Sequence, residues 1–172
     1  MKAYKTIVTH LEMTAPFPVF ASPLIFDRPF SYTLERNMAL ADYRQLYDNV
    51  GRAWRWVNRR KLTDRMLAAL IHHPDIDIFV LRDGNRPIGY VELNFRKKRQ
   101  AEIVFVGLVE DYIGRGLGPQ MLGHAMHHIQ TRAPQRVIIQ TCTLDHPAAL
   151  LLYQSVGFTP YDRKKVVIYD DV

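Results

Sequence analysis

Apolar residues recur along this chain with two periods, and the switches between them lay out its elements. Residues 6–13 alternate as a half-buried strand does. Between Ala15 and Arg36 the pattern breaks. Pro16, Pro18, Pro23 and Pro29 stand there among Phe17, Phe20, Phe26 and Phe30, too apolar for a linker, so an extended segment laid across the domain is expected. Tyr43, Leu46, Tyr47, Val50 and Trp54 follow helical spacing and predict a helix over 38–53 with Trp54 in the core. Thr63 then reads as the cap of a second helix, with Asp64 in its first turn, Leu67, Leu70 and Ile71 on its buried side, and Pro74 as its stop.

Residues 78–81, the turn Asp83-Gly84-Asn85, and residues 87–95 predict a hairpin. Its second strand turns through Arg96-Lys97-Lys98-Arg99 into a third, 102–109, apolar and β-branched enough to be buried on both faces. A glycine loop, a helix to about residue 130, a strand at 136–144, a helix at 147–156 and a last strand at 164–169 complete the chain. The order β-α-α-β-β-β-α-β-α-β predicts an α/β (α+β) fold with a mixed, mostly antiparallel central sheet and helices on both faces. Neither an internal repeat nor a domain boundary interrupts it, so residues 1–172 are expected to form one domain.

Composition narrows the classes. The single cysteine, Cys142, excludes an intramolecular disulfide framework and a cysteine metal cluster, and its place in Val-Ile-Ile-Gln-Thr-Cys-Thr makes it a small core residue first. There is no 18-residue apolar run and no signal-peptide pattern at Met1-Lys2-Ala3, from which a cytoplasmic protein with no membrane partner is expected. A net charge of +6 is compatible with nucleic acid or an anionic cofactor.

The glycine loop changes this picture most. Gly114, Gly116 and Gly118 alternate with Arg115 and Leu117, just where a buried strand hands over to a helix with Pro119 in its first turn. Free amides and the positive end of the helix dipole there make an anion site, most naturally for phosphate. The loop lacks both the Gly-Lys-Ser/Thr ending of a triphosphate loop and the dinucleotide fingerprint. A plain tight turn is the alternative.

Ile113-Gly114-Arg115-Gly116-Leu117-Gly118 resembles the [QR]-x-x-G-x-G/A signature of the GCN5-related N-acetyltransferases, with Ile113 where that family carries Gln or Arg. A second block, His146-Pro147-Ala148-Ala149-Leu150-Leu151-Leu152-Tyr153-Gln154-Ser155-Val156-Gly157-Phe158, is similar to the family's N-x-x-A-x-x-L-Y-x-x-x-G-F. Over the whole chain the likeness is to bacterial members that share Y-R-x-L-Y-x-x-V-G-x-x-W and T-C-T-L-D-H-P-A-A-L. The resemblance implies the acyl-CoA N-acyltransferase fold, with acetyl-CoA (coenzyme A) as cofactor. The amides of Ile113, Gly114, Arg115, Gly116, Leu117 and Gly118 would hold its pyrophosphate, and Tyr153 would be the general acid facing the cofactor sulfur. The implied activity is acetyl transfer to a primary amine of a small molecule or peptide, within a ternary complex. A non-catalytic acyl-CoA sensor is the alternative of another class.

Acetyl transfer to an amine also needs a base and a polarised carbonyl. Glu102 lies fourteen residues before Gly116, the spacing of the catalytic glutamate in the family's histone-modifying branch, and is the first candidate base. Glu92 is the second. A hairpin pairing Phe95 with Gln100 would make the two carboxylates cross-strand neighbours to within one residue of slip, each raising the other's pKa. Their neutralisation by Lys97, Lys98 and Arg99 is the plainer reading. Backbone N–H groups near Leu108 and Val109 are expected to polarise the carbonyl, and Gly107 is expected either to form a bulge that opens a slot or to allow close helix packing.

For the acceptor, Trp56, Arg55 and Arg59 in the connector between the first two helices are candidates by stacking and bidentate contacts, against a merely solvated connector. The basic run is too short for a nucleic-acid module. His124 and His128 edge an apolar arc with no carboxylate spaced to complete a site, so no metal is expected. His146 reads as a helix cap. Apolar strand ends and the aromatic segment at 15–36 leave a homodimer open.

Overall fold

The computed structural model of the chain describes residues 1–20 and 29–170. Its strands are β1 (Lys2–Thr14), β2 (Phe30–Glu35), β3 (Ile76–Asp83), β4 (Arg86–Asn94), β5 (Gln100–Leu108), β6 (Arg136–Cys142) and β7 (Thr159–Asp170); its helices are α1 (Leu40–Gly51), α2 (Asp64–Ile71), α3 (Leu117–Thr131) and α4 (Ala149–Val156). Among the described residues these strands form one sheet in the order β2-β3-β4-β5-β6-β1-β7. Only β5 and β6 pair in parallel; every other neighbouring pair is antiparallel. The predicted mixed, mostly antiparallel sheet is therefore the one observed.

One strand falls where only an extended segment was expected. Tyr32 and Leu34 alternate with Ser31, Thr33 and Glu35, a period of two that the neighbouring prolines and phenylalanines obscure. This β2 forms the sheet edge beside β3. The rest of that Pro/Phe-rich stretch, from residue 21 to 28, lies outside the described residues.

Each helix covers the face its apolar stripe dictates. On α1, Tyr43, Leu46, Tyr47 and Val50 are buried against the side of the sheet that carries Tyr90 and Glu92 of β4. The helix ends at Gly51, so Trp54 is not core; it is half-buried, edge-on to His146 at 5.2 Å. On α2 the Thr63 hydroxyl accepts from the Met66 N–H, and Leu67 and Ile71 are buried while Leu70 is only half so. The opposite face is covered by α3, whose Met121, Leu122, Ala125, Met126 and Ile129 are buried. A Cβ placed on Gly89 of β4 would stand 3.3 Å from the Met121 methyl, so this glycine lets α3 approach closely. Among the described residues no helix is long and apolar enough to cross a membrane.

Candidate active site

The site begins where the sheet comes apart. β5 and β6 pair only from Gln100 opposite Arg136 to Ile103 opposite Ile139. Beyond that, β5 runs on to Leu108 and β6 to Cys142 without pairing, and a wedge-shaped slot opens between them. The Val109 N–H points the other way, donating to the Ile88 carbonyl of β4 at 2.8 Å, so Val109 is unavailable as a carbonyl-polarising donor. Antiparallel alternation then turns the N–H groups of Leu108 and Val106 to the slot edge. Gly107 forms no bulge. It pairs regularly with Tyr90, and its missing Cβ leaves room for Val50, whose methyl would stand 2.5 Å away. The irregularity sits lower, between Glu92 and Leu93.

The slot opens onto the glycine loop. Gly114 and Gly116 adopt φ of 82° and 77°, the left-handed region that favours glycine, and nothing stands within 4 Å of where a Cβ would be on either. Gly116 is the N-cap of α3 and no side chain caps that helix, so its first-turn amides face outward unclaimed, with Pro119 contributing none. This open cradle at a fifteen-residue helix's N-terminus fits a diphosphate. Ile113 does not join it, because its N–H donates to the Glu110 carbonyl at 3.1 Å. Arg115 is exposed at the rim, its guanidinium 4.5 Å from the Tyr112 ring centroid.

Tyr153 on α4 is buried at 7% exposure. Burial, and after it the nearby Asp145 carboxylate, push its hydroxyl well above the ordinary tyrosine value, so it stays protonated and able to donate. Asp145 follows β6 and is a junction the sequence did not advertise. It accepts the Thr141 hydroxyl at 2.9 Å and the Cys142 N–H at 2.8 Å, and its other oxygen accepts the Trp56 indole N–H at 3.1 Å. The signal available was an acidic side chain three residues past a strand end, a position suited to capping the strand's last amide. Cys142 is thus the last residue of its strand and half-buried rather than core. His146 does not cap α4, whose N-cap is Ala148 with no side-chain partner; its Nδ1 instead accepts from the Ala148 N–H at 3.1 Å, in the turn before the helix.

The two candidate bases are not neighbours. Glu102 stands opposite Asn94, while Glu92 stands opposite Phe105, across the irregularity. The turn through Arg99, itself at φ 60°, pairs the strands with a one-residue slip from the expected register, and the irregularity adds another. Glu92 is fully buried, with one oxygen on Arg59 and the other accepting from the Tyr43 hydroxyl. Glu102 is half-buried and, among the described residues, accepts only from the Asn94 amide, at 3.3 Å.

Of the connector residues, Trp56 reaches the slot and the arginines do not present free guanidinium groups. Arg59 is consumed by Glu92 and Tyr43. Arg55 lies 3.9 Å over the Tyr4 ring near the start of β1 and 3.5 Å from Asp170 at the end of β7. His128 hydrogen-bonds Asp77 at 2.7 Å, and His124 packs edge-on to Tyr32 at 4.6 Å. Among the described residues no three histidine, cysteine or acidic side chains gather as a metal site.

The sequence profile of the Acetyltransferase (GNAT) family matches residues 43–158, from α1 through α4 to Phe158. The chain belongs to this family. A mycothiol acetyltransferase of Corynebacterium efficiens is 29% identical over 113 residues, 66% of this chain and 36% of that protein. Its counterpart in Corynebacterium glutamicum (strain R) is 31% identical over 87 residues, 51% of this chain and 30% of that protein. The chain thus spans about a third of the length of the curated relatives it matches. A GCN5-related N-acetyltransferase from Sphaerobacter thermophilus superposes with a TM-score of 0.66 at 15% identity, over 94% of this chain and 50% of that one. An aminoglycoside acetyltransferase from an uncultured soil metagenomic sample, in complex with trehalose, gives 0.63 at 17% identity, over 76% of this chain and 89% of that one. Acetyl-CoA is the co-substrate that membership of the family implies.

Proposed function

We propose that this domain transfers an acetyl group from acetyl-CoA to a primary amine of a small molecule or peptide, by direct transfer in a ternary complex. The observation that carries this reading is the parting of β5 from β6 directly above an open, positive-φ glycine cradle at the N-terminus of α3. A diphosphate bound at that cradle would leave the slot for the thioester arm. The acetylating enzymes among the relatives, named for mycothiol and for aminoglycosides, support a small-molecule acceptor.

When bound, acetyl-CoA supplies an activated acetyl group as its thioester. The chain's own residues then divide the work. The first-turn amides of α3 with Gly114, Gly116 and Gly118 hold the pyrophosphate. The Leu108 N–H on the slot edge donates to the carbonyl oxygen as negative charge develops there. Tyr153 gives its proton to the departing sulfur as the carbon–sulfur bond breaks and the carbon–nitrogen bond forms. Glu102, whose one hydrogen bond among the described residues is from the Asn94 amide, lies six residues along β5 from Leu108 and takes the amine proton through a chain of waters. Glu92, held on both oxygens, anchors the connector instead.

Steady-state assay of thiol release against a panel of amine acceptors tests this. Tyr153→Phe should lower kcat by about a hundredfold or more and Glu102→Gln by a smaller factor, within the range of acid–base contributions. Wild-type rates in Tyr153→Phe would contradict the assignment.

A further inference from the structure

Trp56 sits on a seat made of two absent side chains. A Cβ on Gly51 would fall 2.4 and 2.5 Å from atoms of its indole, and one on Gly107 would fall 3.2 Å from the indole Cη2. The ring is hemmed by Phe105, Tyr47 and Tyr90, with centroids 4.9, 5.8 and 6.4 Å away. Its N–H crosses to Asp145, which is carried by the segment after β6 on the other side of the slot. The indole therefore bridges the divergence of β5 and β6 on the α1 side, at the level of Gly107, between the two residues whose N–H groups edge the slot.

This bridge is held in place from both ends. Asp145 is fixed by Thr141 and by the Cys142 N–H. The connector is fixed by Arg59 on Glu92, by Arg60 on Asp170 at 3.3 Å, and by Lys61 on the Tyr169 carbonyl at 2.9 Å. Swinging the indole out would break its hydrogen bond to Asp145 and its ring contacts with Phe105, Tyr47 and Tyr90.

We propose that Trp56 limits the length of the acyl group the donor site accepts, its indole closing the α1 side of the slot. The proposal rests on the acyl-CoA reading above. Tyr153 is carried by α4, whose Leu152 lies 3.9 Å from where a Cβ on Gly118 of α3 would stand, and Trp56 by the α1 connector, so the two bracket the slot and an acyl group directed away from Tyr153 meets the indole. A methyl group fits in front of the ring, and each further methylene competes with it for the same space. In an open apolar slot each added methylene would instead strengthen binding by about fourfold.

Calorimetric titration of acetyl-, butyryl- and hexanoyl-CoA into wild type, Trp56→Phe and Trp56→Ala tests it without requiring an acceptor. Wild type should bind acetyl-CoA at least about tenfold more tightly than hexanoyl-CoA. Trp56→Ala should bring the two within about threefold of each other, with Trp56→Phe between, since its smaller ring lacks the tether to Asp145. Trp56→Phe keeps a ring on the glycine seat and keeps the test decisive if Trp56→Ala does not fold. Equal binding of all three donors by wild type, or an unchanged preference in Trp56→Phe, would overturn the gate while leaving the donor site standing. Failure of wild type to bind any of them would defeat the donor site itself, and the gate with it.

Discussion

Glu92 shows how burial redirects a carboxylate that its sequence position offers to catalysis. With no exposed surface and both oxygens occupied by Arg59 and Tyr43, it holds the α1–α2 connector against the sheet. Removing the charge leaves Arg59, itself only 14% exposed, without its counter-ion. Glu92→Ala should therefore cost about 3–5 kcal/mol in chemical denaturation, the range for breaking a buried pair from one side. A loss under about 1 kcal/mol would mean that Arg59 finds water or another partner instead. Neither partner was legible in the sequence. Tyr43 read only as part of an apolar stripe, and Arg59 as a free cation, because the contacts that bring them to Glu92 span 49 and 33 residues. The glycines were legible because their backbone demand is written in consecutive residues, whereas Tyr153 stood out only through the likeness of its block to the family's.

At the scale of elements, what was local was again readable and what was paired was not. The end of β5, the glycine loop and the start of α3 follow from one continuous stretch, and the predicted boundaries fall close to those observed. The register between β4 and β5 depends on Arg99 turning at positive φ and on an irregularity at Glu92, and no composition signal marks either among apolar, β-branched neighbours. A second non-local device ties β3 to α3 and to the segment before α1. Asp77, fully buried, receives His128 from α3, Arg132 from the residue that ends that helix, and Arg36 from the segment after β2. Burial alone would raise its carboxyl, but the His128 hydrogen bond and the charges of Arg36, His128 and Arg132 bring it below the ordinary value. A carboxyl with a lowered folded pKa stabilises the fold above its unfolded pKa and ceases to as pH falls through the folded one. Wild type should lose this contribution as pH falls below about 4, the ordinary aspartate range. Asp77→Asn should lack that part of the acid loss in urea melts taken between neutral and acid pH, while being less stable than wild type at pH 7. Parallel pH dependence in the two proteins would remove Asp77 from the account.

Across the whole molecule, the first strand of the chain lies between its last two, β6 and β7. β1 pairs with β6 over seven residues and with β7 along nearly its full length, so it fixes one wall of the slot from behind. The strand itself was predicted from its alternation; its place in the sheet was not, because the pairings join residues more than a hundred positions apart. The Arg55 and Arg60 contacts to Asp170 bind the connector to the same end of the sheet. The slot thus stands between two rigid halves, one built on β2 to β5 and one on β6, β1 and β7, joined where β5 and β6 still pair. We propose this parting, with the cradle at its end, as a coenzyme A donor site. Calorimetric titration of acetyl-CoA into wild type and Gly116→Glu measures it directly, since the glutamate would place bulk, backbone strain and negative charge where the pyrophosphate is to lie. Wild type should bind saturably, with affinity weakened by at least about a hundredfold, or 2.8 kcal/mol, in a variant that still folds. Equal affinity in the two proteins, or no binding by wild type, would contradict that proposal.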